Sequence, residues 1–398
     1  MSRQLIARSA DLRKLEEEGF DIDIVGSHLI VRDVPYVNTR REVARGILMS
    51  PLTLAGDVTV PPDNHTMMFI GEYPCDETGV PIEKIRNADG GQPVSEALVP
   101  SFIFSAKPLV NGGHANYVNY HHKVVTYVGH LEGPAQVLDP EADARTYPVR
   151  EAIAEDDSPF RYLDTAAGRA GLNLANQKLA LGAVAIVGLG GTGSYVLDLV
   201  AKTPVRNIHL FDGDSFMSHN AFRAPGAATL DELRALPKKV DYLRAKYDPL
   251  RTGLHVHPNV IDADNVSELE AMDFVFICID NADARGPIVD ALETYGKSFI
   301  DVGMGVNQVG DEVGGILRVT TSWPENRAGF REHTSFQDAR QDDDYDTDIQ
   351  VADLNALNAT LAVIRWKKWC KFYRDYRGES YASYTTDTNM LLNGDDDA

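Results

Sequence analysis

A glycine-rich turn after an apolar segment constrains the fold of this chain more than any other feature. Residues 184–194 read VAIVGLGGTGS, so an apolar strand would run directly into closely spaced glycines. Glycine allows a sharp turn close to phosphate oxygens, and the N–H groups at the start of the following helix attract an anion. The pattern predicts a nucleotide site at the first turn of a βαβ unit. The residues that we expect to line this turn are Gly188, Gly190, Gly191, Thr192 and Gly193.

A second strand-like segment, residues 208–211, ends in a pair of acids. Asp212 follows Gly193 by 19 positions, a spacing at which a carboxylate accepts hydrogen bonds from ribose hydroxyls. The same spacing fits a nicotinamide-binding domain, so Asp212 alone does not separate the two classes of enzyme. Asp214 is either a supporting group of the site or a cap of the loop.

Donors beyond this acidic pair favour nucleotidyl transfer. Asn220 and Arg223 follow in the loop, where amide and guanidinium groups can stabilise negative charge that builds on phosphates during the transfer. Lys238 and Lys239 stand at a predicted helix start, and either can reach a triphosphate. Asp280 ends a later strand, at the sheet edge where a carboxylate would bind Mg²⁺. The alternative for Asp280 is an N-cap of the next helix.

Strand-like and helix-like segments alternate from residue 183 onward, which is typical of a doubly wound parallel sheet. A strand at 314–321 would pair antiparallel, so the predicted sheet is mixed. The fold class is therefore α/β, a Rossmann-like domain preceded by a separate α+β domain. The predicted strands of this part lie at 183–187, 206–211, 254–260, 273–278 and 298–302, and the helices at 191–202, 238–247, 265–271, 283–296 and 353–374.

Turn-forming residues divide the preceding segment into short elements. We expect an accessory domain of residues 1–155 and a second domain of residues 156–398, whose polar segment 322–348 forms a crossing loop. In the accessory domain the pattern predicts a helix at 11–18 that Gly19 ends. The predicted strands there are 20–25, 28–32, 66–70 and 123–128.

Composition excludes several function classes. The net charge of the 398-residue chain is −21, from 59 acidic and 38 basic residues, and such a surface repels nucleic acid. No apolar segment reaches the roughly 20 residues of a membrane helix. The three cysteines lack the spacing of a disulfide framework or a zinc site. We expect a cytoplasmic protein that binds no membrane, no nucleic acid and no structural zinc.

Taken together, residues 160–320 resemble the adenylation domain shared by ubiquitin-activating enzymes and the bacterial sulfur-carrier adenylyltransferases of molybdopterin and thiamine synthesis. The resemblance rests on the G-x-G-G-x-G turn, the D-G-D strand end, an H-N-x-x-R element, the lysine at a helix start and C-x-D-N at 278–281. It implies that the chain binds ATP and Mg²⁺ and adenylates the C-terminal carboxylate of a ubiquitin-like protein. It also implies a homodimer.

Residue roles follow from the same resemblance. Asp212 would hold the ribose, Asn220 and Arg223 would contact the phosphates, and Asp280 would bind magnesium. Lys239 would neutralise the triphosphate, with Lys238 as the alternative. The family also supplies an arginine from a segment before the first strand, often across a dimer interface; here the candidates are Arg161 and Arg169.

The crossing loop departs from the family because it contains no cysteine. Relatives that pass the carrier onward as a thioester keep a catalytic cysteine there. The enzyme therefore either stops at the acyl-adenylate or forms an oxyester on a hydroxyl. The candidate acyl acceptors are Ser335, Thr334 and Thr347. His333 is a candidate base for the first two, and the aspartates around Thr347 are candidate bases for the third.

An accessory domain fused before an adenylation domain resembles the activating enzymes of bacterial ubiquitin-like operons. That resemblance implies a protein-binding role for residues 1–155 and transfer of the carrier to a conjugating enzyme. Three other functions remain open: an NAD-dependent oxidoreductase, a nucleotide-binding scaffold without catalysis, and a tRNA-modifying adenylyltransferase, which the acidic charge disfavours.

Overall fold

A computed structural model describes residues 2–110, 113–149, 158–162, 164, 172–325, 327–334 and 350–394. The described residues form two units. The first contains those before residue 150 together with 162, 164 and 172, and the second contains 158–161 and those from 173 onward. In this part of the chain, no helix combines the length and apolar character that crossing a membrane requires.

The first unit is built on an antiparallel sheet with the strand order β1-β2-β3-β6-β8-β7. Its strands are β1 (Ile22–Val25), β2 (His28–Val37), β3 (Val43–Pro51), β4 (Leu54–Ala55), β5 (Val58–Thr59), β6 (Thr66–Ile70), β7 (Arg86–Asp89), β8 (Phe102–Ser105), β9 (Leu109–Val110) and β10 (Gly113–His114). Its α-helices are α1 (Ser2–Arg8), α2 (Ala10–Glu17) and α3 (Tyr120–Leu138), and a 3-10 helix spans Glu83–Ile85. The predicted α+β class of this unit is confirmed.

The predicted strand at 123–128 is wrong, because this segment lies inside α3. Its three valines, threonine and tyrosine favour a strand locally. The wider pattern is helical, since Tyr120, Val124, Tyr127 and Leu131 are fully buried at spacings of three and four. The side chain of Asn119 also caps the helix by accepting a hydrogen bond from the His122 N–H. Tertiary burial and the cap therefore override the β-branched residues.

The second unit is an eight-stranded mixed sheet with the order β13-β12-β11-β14-β15-β16-β17-β18. Its strands are β11 (Ala183–Val187), β12 (Asn207–Phe211), β13 (Leu254–His257), β14 (Phe274–Ile277), β15 (Ser298–Val309), β16 (Glu312–Ser322), β17 (Tyr381–Thr385) and β18 (Met390–Gly394). The strands from β11 to β15 pair parallel, and those from β15 to β18 pair antiparallel. This confirms the predicted mixed α/β sheet.

The helices of the second unit cover the two faces of this sheet. Val184, Ile186 and the fully buried Trp366 belong to one apolar core, and Val187 and Phe299 belong to the core on the other face. Strands buried on both faces read as continuous apolar runs, which explains the sequence of β11 and β14. The helices are α4 (Asn173–Gln177), α5 (Gly191–Ala201), α6 (Ser218–Ala221), α7 (Leu230–Arg234), α8 (Lys239–Tyr247), α9 (Ala282–Thr294), α10 (Ala328–His333) and α11 (Ala352–Trp369), with a 3-10 helix at Val266–Ala271.

Candidate functional site

A pocket of about 1360 Å³ opens at the carboxyl ends of the parallel strands. This is the edge at which an open α/β sheet binds its ligand. Of the residues that the sequence predicts to bind nucleotide or magnesium, all except Gly193 line it. Those lining residues are Gly188, Gly190, Gly191, Thr192, Asp212, Asp214, Asn220, Arg223, Lys238, Lys239 and Asp280.

The glycine-rich turn needs its glycines for conformation and for space. Gly188 has a φ of +88°, and a Cβ on Gly193 would lie 1.9 Å from the carbonyl oxygen of Gly188. Unless the turn moves, only glycine fits at position 193. The turn leads into α5, whose first N–H groups have no intrahelical partner and face the pocket. This geometry suits a phosphate.

An ion-pair cluster lies beside the turn, in which Lys239 and Asp212 are buried and Asp214 is exposed. The Lys239 ammonium is 2.7 Å from Asp214 Oδ2 and 3.4 Å from Asp212 Oδ2. Asp212 also accepts backbone hydrogen bonds from Leu189 at 2.8 Å and from Asp214 at 2.9 Å. The hydrogen bond from Lys239 lowers the pKa of Asp214. These contacts fix the Asp212 carboxylate. Its Oδ2 accepts from both Leu189 and Lys239, whereas its Oδ1 accepts only from the Asp214 N–H and retains a lone pair for a ribose hydroxyl.

Two further donors line the pocket after β12, Asn220 in the short helix α6 and Arg223 just beyond it. Asn220 is 4% exposed, and its Oδ1 accepts a hydrogen bond from the Met217 N–H at 2.9 Å. This contact fixes the amide, whose NH₂ has no partner among the described residues. Arg223 Nε is buried and likewise has no partner in the described chain. A buried N–H without a partner costs free energy, and a phosphate oxygen in the pocket would satisfy it.

Asp280 reaches the pocket as an exposed carboxylate. The cap of α9 is supplied by Asn281, whose side chain accepts from the Ala284 N–H at 3.1 Å. Asp280 therefore does not serve as that cap, and it has no ion pair or hydrogen bond within the described residues. Mg²⁺ is commonly held by one or two carboxylates together with waters and substrate phosphates, so this residue fits a magnesium ion that arrives with a nucleotide. Among the described residues, no group of three acidic, His or Cys side chains forms a metal site of its own.

The remaining predicted residues lie elsewhere or are not described. Arg161 is ion-paired with Asp248, with Nη2 to Oδ1 at 3.0 Å, and is not a lining residue of the pocket. Thr334 is 6% exposed, and its hydroxyl has no hydrogen-bond partner in the part of the chain that the structure describes. Arg169, Ser335 and Thr347 lie outside the described residues, as does most of the predicted crossing loop.

The cysteines do not resemble nucleophiles. Burial raises the pKa of Cys75 and of Cys278, and it raises the pKa of Cys370 to about 12. Each thiol therefore stays protonated at neutral pH, whereas nucleophilic chemistry needs the thiolate.

Sequence reasoning missed a polar cluster in the same pocket. Asn355 and Asn358 are both fully buried on α11, one turn apart on an otherwise apolar face. Asn355 Oδ1 accepts a hydrogen bond from the Thr192 hydroxyl at 2.9 Å. Two amides at i and i+3 inside the apolar pattern of residues 353–374 were a signal in the sequence, because buried amides need partners.

Two arginines of the pocket share one buried carboxylate, which the sequence did not indicate. Asp301 is fully buried, and it accepts from Arg285 Nε at 2.9 Å and from Arg318 Nη2 at 2.6 Å. Arg285 Nη2 also donates to the carbonyl of Ile279 at 2.8 Å, the residue before Asp280. The cluster therefore lies next to the candidate magnesium ligand.

Comparison with known protein families assigns both parts of the chain. The ThiF family matches residues 165–379, which is more than half of the sequence. The chain belongs to the ThiF family. This finding confirms the resemblance to ubiquitin-activating enzymes and sulfur-carrier adenylyltransferases. Residues 10–165 match a separate family, described as a domain of unknown function, DUF6791.

The sequence identity to individual relatives is low. The chain is similar to ubiquitin-like modifier-activating enzyme 5 of Aedes aegypti, with 25% identity over 169 residues that cover 40% of this chain and 42% of that protein. The same enzyme of Rattus norvegicus is 27% identical with the same coverage. The chain thus spans about two fifths of the length of the curated relatives that it matches. Its activity, substrate and partners therefore remain proposals.

Solved structures with a similar chain fold include PaaA and MccB. PaaA has a TM-score of 0.46 and 16% identity, with 69% of this chain and 85% of PaaA covered. Escherichia coli MccB in a structure with ATP has a TM-score of 0.43 and 14% identity, with 58% and 69% covered.

Proposed function

We propose that this ThiF-family chain is an adenylyltransferase that uses ATP and Mg²⁺ to activate the C-terminal carboxylate of a ubiquitin-like protein. The observation that carries the proposal is the buried Arg223 Nε without a partner, in a pocket that also contains the glycine-rich turn. Relatives named as ubiquitin-like modifier-activating enzymes support the choice of substrate.

The residues of the pocket divide the work of holding a nucleotide. Asp212 would accept the ribose hydroxyls, and the N–H groups at the start of α5 would bind phosphate oxygens. The amide of Asn220 and the guanidinium of Arg223 would donate to the same phosphates. Asp280 would hold Mg²⁺, whose charge would offset that of the triphosphate.

The reaction needs positioning and charge stabilisation more than acid–base chemistry. A carboxylate oxygen attacks the α-phosphorus, a P–O bond forms, and the bond to the β-phosphate breaks as pyrophosphate leaves with its electron pair. No proton moves, because the attacking acid is already ionised. Donors fixed before the reaction begins stabilise the growing phosphate charge without reorganisation.

The accessory residues 1–155 would bind a protein partner, and we propose that this partner is a conjugating enzyme. An oxyester on the crossing loop stays part of this proposal, since its candidate acceptors are mostly outside the described residues. Thr334 is the exception, and it would need to become exposed, because its side chain is buried. We also propose a homodimer, in which Arg161 or Arg169 of one protomer would reach the other.

Exchange of radiolabelled pyrophosphate into ATP tests the function. The full-length chain is incubated with Mg²⁺, ATP and purified ubiquitin-like proteins, each with a control that lacks its last two residues. We expect exchange with an intact tail only, and Arg223→Ala should slow the exchange at least tenfold. A chain that binds NADH rather than ATP, or that binds ATP but catalyses no exchange with any tail, would contradict the proposal.

A further inference from the structure

The candidate magnesium ligand, Asp280, lies where the chain leaves β14. The pairing of β14 with β11 and with β15 ends at Ile277. One further backbone hydrogen bond, from the Cys278 N–H to the Val187 carbonyl at 2.7 Å, holds the next peptide unit. The Asp280 carboxylate itself is exposed and makes no hydrogen bond or ion pair within the described part of the chain. Its position therefore depends on what holds the backbone around it.

Arg285 holds the backbone of the residue before Asp280. It is 6% exposed in the first turn of α9, and its Nη2 donates to the carbonyl of Ile279 at 2.8 Å. Because Ile279 lies beyond the last strand pair, a side chain takes the place of a strand partner for this carbonyl. On the other side of Asp280, Asn281 is fixed as the cap of α9. Asp280 thus lies between two fixed residues.

Asp301 fixes the orientation of Arg285. It is fully buried on β15, directly opposite Ile277 of β14. Its Oδ1 accepts from Arg285 Nε at 2.9 Å, and its Oδ2 accepts from Arg318 Nη2 at 2.6 Å. The planar guanidinium of Arg285 is therefore bound at Nε by one group and at Nη2 by another, and it cannot rotate without breaking one of these contacts.

We propose that Arg285 is a positioning residue for the magnesium ligand: through the Ile279 carbonyl it holds Asp280 where its carboxylate meets the Mg²⁺ that arrives with the nucleotide. This inference rests on the proposed ATP and Mg²⁺ chemistry and adds a residue that none of its steps uses. A guanidinium cannot itself be a metal ligand, because it has no lone pair to offer. Removing a group that orients a metal ligand commonly costs about 10- to 100-fold in metal affinity.

The charge of Arg285 and its positioning role predict opposite effects on the metal. Arg285 is a cation that lines the pocket. If only its charge mattered, its removal would strengthen the binding of a divalent cation and weaken the binding of a metal-free nucleotide, which is an anion. If it positions Asp280, its removal weakens the metal and leaves the metal-free nucleotide unaffected. The direction of the change therefore separates the two explanations.

The test measures a metal gain, defined as the dissociation constant of the ATP analogue AMPCPP in EDTA divided by its value with saturating Mg²⁺. Isothermal titration calorimetry on the full-length chain gives both values. We expect Arg285→Met to lower the metal gain about tenfold while the dissociation constant in EDTA stays within about twofold of wild type. A general loss of structure would instead weaken both measurements and leave their ratio unchanged.

Further variants show whether Arg285 acts through Asp280. The double variant Arg285→Met/Asp280→Asn should have the metal gain of Asp280→Asn alone, because the two changes remove one interaction. Arg285→Lys keeps the cation but not the two-edged guanidinium, so its metal gain should lie between those of wild type and Arg285→Met. Arg331→Met is the matched control and should keep the wild-type gain, since Arg331 pairs with Asp290 and Glu293 of the same helix and does not line the pocket.

Folding of the variants is checked by thermal unfolding. Arg285→Met leaves the buried Asp301 carboxylate paired with Arg318, so no buried charge loses its last partner. If Arg285→Met is nevertheless unfolded, Arg285→Lys carries the test with a smaller expected loss.

The outcomes separate the two proposals. If AMPCPP with Mg²⁺ does not bind the wild-type chain, or binds no better than in EDTA, the proposed ATP and Mg²⁺ chemistry fails. If wild type shows a metal gain that Arg285→Met keeps or raises, the positioning role alone is refuted. A full wild-type gain in Arg285→Lys also refutes it, because the charge would then suffice. A further loss of metal gain in the double variant refutes it as well, because Arg285 would then act by another route than Asp280.

Discussion

The two adjacent lysines at the start of α8 provide a sharp test of the nucleotide site. Lys239 is buried, with its ammonium within 3.4 Å of both Asp212 and Asp214. The Lys238 ammonium instead donates to the carbonyl of Gly213 at 2.6 Å, in an exposed position. Although both lysines line the pocket, only Lys239 is buried and ion-paired with Asp212 and Asp214. We therefore expect Lys239→Met to weaken nucleotide binding far more than Lys238→Met.

The size of the effect follows from the kind of contact that is lost. A hydrogen bond between a charged donor and a charged acceptor in a partly buried site contributes about 1.5–3 kcal/mol. Its loss corresponds to about 10- to 150-fold in the dissociation constant. The exposed Lys238 is screened by water, so its loss should cost less than about 1 kcal/mol, or about fivefold.

Titration calorimetry with AMPCPP and Mg²⁺ at fixed ionic strength measures both variants. Lys239→Met also leaves Asp212 without its buried cation, so thermal unfolding must first show that the variant is folded under the conditions of the assay. Lys239→Arg keeps the charge and should recover part of the affinity. Equal losses in the two Met variants, or a larger loss in Lys238→Met, would refute the assignment of the buried lysine.

Three further predictions address the metal, the turn and the accessory domain. Asp280→Asn should leave AMPCPP binding in EDTA unchanged but remove most of the gain that Mg²⁺ gives, as measured by calorimetry. Gly193→Ala should weaken AMPCPP binding more than tenfold, because its Cβ would lie 1.9 Å from the Gly188 carbonyl oxygen, whereas Gly129→Ala, with open space at the Cβ, should not. Burial lowers the pKa of Lys123 from 10.5 to about 8, so the unfolded chain holds this proton to higher pH. Lys123 should therefore contribute a rise of about 3 kcal/mol to the free energy of unfolding between pH 8 and 10.5, measured as the difference between the wild-type chain and Lys123→Met. Urea denaturation of Lys123→Met should lack that rise, and a variant that keeps it would contradict the explanation.

The parallel half of the second unit was predictable because local pattern and global fold agree there. The strand predicted at 183–187 has the same bounds in the structure, and the helix predicted from 191 begins at Gly191. The strand lies between two glycines, the helix begins at a glycine, and both are buried on the sheet, so apolar runs and turn residues predict the same elements. Segment 123–128 fails for the opposite reason, since its local preference for a strand conflicts with its burial in α3.

The contact of Arg285 and Arg318 with the buried Asp301 carboxylate could not be predicted from local patterns. Arg318 meets Asp301 because β15 and β16 pair with Gly303 opposite Arg318 and with Thr320 opposite Asp301. A shift of one residue in that register would move Arg318 to the other face of the sheet. Neither the composition nor the spacing of residues 298–322 specifies the register, so the cluster becomes visible only in the folded chain.

The mixed pairing of β15 brings the two halves of the pocket together. On one side β15 runs parallel to β14, whose carboxyl end leads to Asp280; on the other it runs antiparallel to β16, which carries Arg318. Asp301 lies on β15 between them and fixes Arg318 with one oxygen and Arg285 with the other. A fully parallel sheet would place a helical crossover where the β15–β16 hairpin now extends. The switch to antiparallel pairing therefore places Arg318, on β16, among the residues that line the pocket at the carboxyl ends of the parallel strands.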